Sequence, residues 1–462
     1  MKPWMESIYY KSPVFIQNIA VSAMGFKLRS ERYKPVGQSK LTELLKTQNF
    51  NQEQMREYQS RAFVAIARHA INNTIFYQRW AQDKGLEAGD IKSIEQINLF
   101  PVIEKAYIRE NSHEFKAQPK NQNAKQIKLH TSGTTGTPLT VYTDENSRSE
   151  HYAFFSRLRS WYGLQPVDRR ATMFGRIIMP AADKKPPFWR YDAVNKNLLM
   201  SSYHLKKENL LSYYRKLVDF KPQEIFSYPS SIVQLADFII QNNLPKLDLK
   251  LLMTTAEHLH SFQREKLLAA FNAPVVNQYG CTEMAFFVST LPNGEFCSHP
   301  EHAVLEVKTS DQSIHNIGEG ELVTTGLINF SMPVIRYLVG DNVVLGEENK
   351  NGFKILQDVQ GRVDDLIYMK DGTPVGRLDP IFKGGTGIKA AQIFQNKEGD
   401  IELRIIPDSS YCESLGAALK AELIKRVGGD CSIDLMLIDE IEKSSNGKFK
   451  SVISRYKNYV KA

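Results

Sequence analysis

The stretch Leu129-His-Thr-Ser-Gly-Thr-Thr-Gly-Thr-Pro138 sets seven successive hydroxyl or glycine residues, Thr131 to Thr137, directly after the alternating apolar residues Ile127 and Leu129. Such a stretch can wrap phosphate. Glycine lets backbone N–H groups come close to an anion, and each Ser or Thr adds a rotatable hydroxyl donor. A polar surface turn has the same composition. A Walker loop is excluded, because that pattern requires Gly-Lys-Ser/Thr and Gly136 is followed by Thr137 and Pro138. Leu139-Thr-Val-Tyr142 alternates like a strand, so the loop is expected to join two strands without the helix dipole a Walker loop uses.

Further along stand Tyr279-Gly-Cys-Thr-Glu283, Arg336-Tyr-Leu-Val-Gly-Asp341, Gly361-Arg-Val-Asp-Asp365 and Asn446-Gly-Lys448. Taken singly, Tyr279 could be core, Glu283 and Asp341 surface carboxylates, and Lys448 and Arg362 exposed cations. Two other clusters invite chemistry. Cys297-Ser-His299-Pro-Glu-His302 has thiolate and imidazole ligands that suit zinc but shows no fourth ligand. Arg169-Arg170, Arg176, Lys184-Lys185 and Arg190, interleaved with Phe174, Phe188 and Trp189, read first as a solvated face and second as a dock for an anionic acceptor such as a nucleotide, diphosphate or acidic sugar.

In their order, the hydroxyl loop and the four later segments resemble the adenylate-forming (ANL) superfamily of acyl-CoA synthetases, peptide-synthetase adenylation domains and luciferases. Within it the chain is similar to the phenylacetate-CoA ligase group and its capsular-polysaccharide (CapK-type) branch. The likeness extends to Arg68-His-Ala-Ile-Asn-Asn-Thr-Ile-Phe-Tyr77, Tyr228-Pro-Ser-Ser231 and Gly447-Lys-Phe-Lys-Ser-Val-Ile-Ser454.

The resemblance implies an ATP-dependent carboxylate-activating ligase of surface-polysaccharide synthesis, with Mg²⁺ as cofactor. Ser132, Gly133, Thr134, Thr135 and Gly136 would hold the β- and γ-phosphates. Tyr279 and Gly280 would meet the adenine, Thr282 the α-phosphate and Glu283 the Mg²⁺. Asp341 would take the ribose hydroxyls, as a carboxylate accepts two hydrogen bonds side by side. Arg362 would stand near the ribose and Asp364 at a hinge, while Lys448 would bridge carboxylate and α-phosphate. Many members carry a lysine at the position of Thr137 or Leu139. Its absence here leaves phosphate charge to Mg²⁺ and backbone donors. Lys370-Asp-Gly-Thr-Pro-Val375 departs from the glycine-rich pantetheine segment, so the acceptor is coenzyme A or a sugar amine or hydroxyl. The alternatives of another class are a non-catalytic nucleotide-binding protein and a membrane or glycan adaptor.

The elements that position these residues point to an α/β fold: a large multi-layer α/β domain with a strand-rich subdomain and a small mobile α+β C-terminal domain. Residues 1–120 read as mainly helical, with Phe63, Ile66, Ala67, Ala70 and Ile71 at helical spacing. Residues 121–360 form the nucleotide- and carboxylate-binding core. There Asp144 is placed to cap a helix facing inward with Tyr152, Phe155, Leu158 and Tyr162. Helices at about 231–241 and 261–271 follow, then a strand-rich end from 303 that includes Leu322-Val323, Val334-Ile335 and Val343-Val344. Residues 361–462 form the small domain, with a hairpin about Asp371-Gly372 and a helix over Glu413 to Val427.

Composition sets outer bounds. The 462 residues are 42% hydrophobic and carry 59 basic against 51 acidic groups, a dilute excess that argues against a nucleic-acid partner. No apolar run spans a membrane and no secretory start is seen, which predicts the cytosol, with the inner face of the membrane as the alternative address. Cys281, Cys297, Cys412 and Cys431 have no C-x-x-C spacing and read as packed thiols. In residues 1–34, Phe15, Ile16, Ile19, Ala20 and Ala23 share a helical face ahead of Lys27, Arg29, Arg32 and Lys34. That segment either packs on its own domain or lies on an anionic membrane surface.

Overall fold

The computed structural model describes residues 3–118, 126–130, 139–180, 183–360, 366–375, 378–382, 388–407, 411–428, 431–441 and 452–456. It opens with helices α1 (Pro3–Lys11), α2 (Val14–Arg32), α3 (Pro35–Thr47), α4 (Gln52–Asn73), α5 (Ile75–Lys84) and α6 (Lys105–Glu110). Helix α4 starts where Asn51 and Gln54 form a reciprocal capping box, and it buries the expected Phe63, Ile66, Ala67, Ala70 and Ile71. Helix α2 behaves differently. Its polar side faces inward: Gln17 accepts from Arg190, Asn18 from the Tyr191 N–H and Ser22 from the Ala193 N–H. Phe15, Ile19 and Phe26 point outward, each more than 60% exposed.

The strands Gln126–His130 and Thr140–Asp144 pair antiparallel, His130 opposite Thr140, so the hydroxyl loop does connect two strands. Asp144 then caps α7 (Glu145–Trp161), accepting from the Asn146 and Ser147 N–H groups. Helices α8 (Leu210–Phe220), α9 (Pro229–Gln241) and α10 (Ser261–Ala270) alternate with the parallel strands Asn197–Ser201, Glu224–Ser227, Leu251–Thr255 and Val275–Gly280. Arg170–Phe174 pairs parallel between the first two of these. All five therefore end on one edge, where ligands of open α/β sheets gather.

Past Val275–Gly280 the sheet turns antiparallel through Phe287–Thr290, Phe296–Ser298, Lys354–Gln360, Tyr337–Glu348, Gly318–Gly326 and Ala303–Lys308, reaching fourteen strands. Val334-Ile335, expected as strand, is not. Pro333 lacks a ladder donor and Arg336 turns to φ +52°, so the strand begins at Tyr337. The C-terminal part is a four-stranded sheet of Ile388–Lys397, Asp400–Pro407, Ser432–Leu437 and Val452–Ser454, packed with α11 (Glu413–Val427). Its core includes Tyr203 of the large part, and Lys206 meets Asp371 at 3.5 Å. The expected hairpin is Ile367–Tyr368 against Pro374–Val375, turning at Gly372 with φ +76°.

Candidate functional site

Tyr279 and Gly280 end the last parallel strand. The chain then reverses through Cys281, Thr282, Glu283 and Met284, and Met284 takes φ +52°, a conformation a side chain adopts at a cost. This turn leaves Thr282 exposed and Glu283 buried. Tyr279 packs against Phe286, ring centroids 4.7 Å apart, and its hydroxyl donates to Asp341 Oδ2 at 2.8 Å. Burial, reinforced by the Asp341 carboxylate, pushes the Tyr279 phenol well above its ordinary range, so it remains a donor. Two members of separate sequence segments are thus joined directly.

Glu283 meets two residues given no role above. Tyr337, within the Arg336–Asp341 segment, donates to Glu283 Oε1 at 2.7 Å, and Lys105 Nζ lies 2.9 Å from the same oxygen. Burial alone would raise the Glu283 carboxyl. The Lys105 ammonium and the hydrogen bonds from Lys105 and Tyr337 outweigh it and hold the group below the ordinary carboxylate range. Lys105 is placed by backbone pairing: Ile103–Glu104 lies parallel to the strand that starts at Tyr337, with Ile103 opposite Tyr337. No local signal marks it, since it is one lysine in a region that reads as helical. It is a cation beside the cluster in a chain whose loop has none.

Leu139 and Val141, just beyond the hydroxyl loop, lie in the same core as Phe286 and Tyr337, against which Tyr279 and Cys281 pack. The loop's strands therefore share a core with the Tyr279 turn. Ser132, Gly133, Thr134, Thr135, Gly136, Arg362, Asp364 and Lys448 lie outside the described residues. A cavity of about 810 Å³ touches Lys105 and Gly340 but none of Tyr279, Glu283 or Asp341.

Two expectations are corrected, and the zinc alternative weighed for Cys297, His299 and His302 is set aside. His299 is bound by Arg157 Nη2 at 2.6 Å and by Ser289 at 2.8 Å, and His302 by His151 at 3.0 Å. Among the described residues no group of three His, Cys, Asp or Glu side chains could hold a metal, so Cys297, His299 and His302 are not a zinc site. The basic cluster is not a solvated face throughout: Arg170 pairs with buried Glu224 at 2.6 Å, and Arg190 is 3% exposed. Cys412 is exposed, not packed.

Comparison with known proteins places the fold. A solved 2-hydroxyisobutyryl-CoA ligase, in complex with 2-HIB-AMP and CoA in the thioesterification state, matches with TM-score 0.54 and 20% identity over 86% of this chain and 89% of its own. The fold is therefore that of an adenylate-forming ligase. Residues 367–455 match the family described as the CapK C-terminal domain. Protein CapK of Staphylococcus aureus is 28% identical over 98% of this chain and all of its own length. A phenylacetate-coenzyme A ligase of Aromatoleum evansii is 23% identical over 88% of this chain and 95% of its own. The resemblance to the adenylate-forming superfamily, the phenylacetate-CoA ligase group and its CapK-type branch thus holds in sequence, fold and C-terminal domain.

Proposed function

We propose that the chain is an ATP-dependent carboxylate-activating ligase. A carboxylate attacks the α-phosphorus of ATP, pyrophosphate leaves with the broken P–O bond, and an acceptor nucleophile then opens the acyl-adenylate to release AMP. The observation that carries this reading is the joining of Tyr279 to Asp341 and of Glu283 to Lys105 and Tyr337 at the edge where the parallel strands end. Tyr279 orients Asp341 toward a ribose, whose hydroxyls its carboxylate can accept. Thr282 offers an exposed hydroxyl to the α-phosphate.

Lys105 supplies positive charge near the phosphates, the term the loop lacks. Glu283 is ionised, and hard oxygen donors suit Mg²⁺, so Glu283 fits as its protein ligand. When bound, Mg²⁺ would neutralise charge on the phosphates. Ser132, Gly133, Thr134, Thr135 and Gly136 are assigned to the β- and γ-phosphates, Gly280 and Arg362 to the nucleoside. Lys448 is assigned to the carboxylate and α-phosphate, and Asp364 to a hinge between residues 121–360 and 361–462.

The acceptor we favour belongs to surface-polysaccharide synthesis, coenzyme A or a sugar, in keeping with the similarity to Protein CapK. We place the chain at the inner face of a membrane, because α2 presents Phe15, Ile19 and Phe26 outward beside Lys11 and Lys27. Among the described residues no helix is long and apolar enough to cross one. Sedimentation with anionic but not zwitterionic vesicles is the expected result; equal indifference to both removes this assignment.

The central test is exchange of labelled pyrophosphate into ATP with Mg²⁺ and a panel of aryl, fatty, amino and hydroxy acids. Exchange with at least one acid is expected. Neither exchange nor ATP binding across the panel would leave a non-catalytic adaptor as the better reading.

A further inference from the structure

Between the parallel strand Leu251–Thr255 and α10 the chain passes through Ala256, Glu257, His258, Leu259 and His260, at the edge of the sheet where Tyr279 also lies. Thr255 enters this turn beside Gln278, and its hydroxyl donates to the Gln278 side chain at 2.6 Å. Ala256 then takes φ +67°, a left-handed conformation that alanine adopts at a cost and that persists only where its surroundings fix it. Glu257 supplies one fixed point. Its carboxylate accepts from the Ser230 N–H at 2.8 Å and from the Ser230 hydroxyl at 2.9 Å, at the N-terminus of α9, where negative charge is favoured. The Tyr228-Pro-Ser-Ser231 segment thereby gains a structural role: Pro229 opens α9 and Ser230 anchors the turn.

His258 supplies the other fixed point. Its Nδ1 lies 3.1 Å from the Val359 carbonyl, 101 residues away in the chain. A carbonyl only accepts, so Nδ1 carries the proton and donates. Val359 is no ladder neighbour of the turn: the strands Val275–Gly280, Phe287–Thr290 and Phe296–Ser298 stand between Leu251–Thr255 and Lys354–Gln360 in the sheet. The contact therefore spans the curl of the sheet. On its far side Val359 pairs with Val343 and Gln360 with Asn342, the residue after Asp341. Val359 and Tyr279 also pack on the same core. Two hydrogen bonds thus bridge the parallel strands to the Tyr337–Glu348 and Lys354–Gln360 pair. Tyr279 to Asp341 joins side chains, and His258 to Val359 holds backbone.

We propose that His258 is a positioning residue for the nucleotide: its Nδ1–H holds the end of the Lys354–Gln360 strand, and through the ladder Asp341, at the separation from Tyr279 that a bound nucleoside needs. This role rests on the carboxylate-ligase reading, which assigns Asp341 to the ribose. A ribose competes with Tyr279 for the Asp341 carboxylate, whereas the Val359 carbonyl has no part in ligand binding. The His258 contact therefore keeps the two strand groups in register with the site empty or filled.

Calorimetric titration of the full chain with ATP, together with pyrophosphate exchange, tests it in His258→Ala and His258→Asn. The asparagine amide nitrogen stands where Nδ1 stands and donates to the same carbonyl. His258→Ala should weaken ATP about three- to tenfold, the worth of one neutral hydrogen bond, and raise KM for ATP but not for the acid. His258→Asn should recover most of that loss. Hydrogen–deuterium exchange over residues 354–360 should quicken in the alanine variant and not in the asparagine variant, a readout that needs no turnover. The exposed side chain leaves Tm within a degree or two of wild type, by the small effect expected of surface substitutions. Three results overturn the proposal: ATP affinity unchanged in His258→Ala, an asparagine variant as weak as the alanine one, or a loss confined to kcat. Wild-type protein that binds no ATP overturns the ligase reading and this role with it, even where exchange shows that His258 holds the strand.

Discussion

Glu283 and Glu301 are both buried carboxylates set against a cation, yet their surroundings are opposite. Glu301 and its partner Arg157 are fully enclosed, 0% exposed on both side chains, and Thr47 adds a third donor at 2.6 Å. Arg157 also reaches the Leu44 carbonyl and His299, tying α3, α7 and the strand of Ser289 together. A guanidinium only donates, so His299 Nδ1 must accept and the ring is neutral, donating from Nε2 to Ser289. Glu283 is 4% exposed, but its partner Lys105 keeps 23% of its side chain accessible and comes from an element held by one short strand pair. The first cluster has no room for anything but itself. The second has a cation that can face a ligand. Similar ion pairs can thus serve architecture or chemistry, and solvent access to the cation separates the two.

The largest expected effect breaks the closed cluster. Arg157→Ala strands Glu301 and removes the fork that orients His299, at about 3–5 kcal/mol of stability. Urea unfolding should show that loss, while the folded fraction still binds ATP; a loss under about 1 kcal/mol would erase the contrast.

Next comes Lys105→Ala in the open cluster. Pyrophosphate exchange should fall about 10²-fold, the cost of one charged donor in a transition state, with Tm falling less than for Arg157→Ala because Lys105 is partly solvated and Tyr337 still donates to Glu283. A large fall in Tm with normal turnover in the folded protein would make Lys105 structural too.

Asp341→Ala should be milder, raising KM for ATP by the ~1.5–3 kcal/mol of a charged hydrogen bond and leaving KM for the acid unmoved. The reverse pattern would move the ribose away from Asp341.

The smallest effect is a pH dependence confined to the closed side. Burial, and then neighbouring positive charge, hold His299 and His302 well below the ordinary imidazole range, and burial with Arg148 and Arg32 brings His151 down to about 4. Groups whose folded values are depressed favour the native state above their unfolded value, near 6.5, and lose that contribution as pH falls toward the folded one. Tm should therefore decline between pH 6.5 and pH 4, and His151→Phe should flatten part of the slope. A flat wild-type profile would show that these imidazoles do not titrate on unfolding.

Much was legible where the signal is local. Asp144 announced α7 because a cap is satisfied two and three residues away, Asp371-Gly372 announced its hairpin because a left-handed glycine makes the turn, and Glu413–Val427 was read end to end. Tyr279, Thr282, Glu283 and Asp341 were singled out by motif, and the fold brings Tyr279 to Asp341. Lys105 was missed because its neighbours, Glu283 and Tyr337, are more than 170 residues away in the chain. The zinc alternative at Cys297, His299 and His302 stayed open in the sequence for a related reason, since Arg157 and His151 occupy the imidazoles from a helix no spacing rule connects to them.

The sequence by itself determined the α/β class, the helices α4, α7, α9, α10 and α11, the hairpin about Gly372 and which residue types could meet a nucleotide, because capping, turn geometry and hydrophobic periodicity act over a few residues. Only the tertiary structure decided which cation faces Glu283, which charges are sealed away and which side of α2 looks outward. Those outcomes depend on burial and on pairing between distant strands, and neither quantity is a property of any one segment.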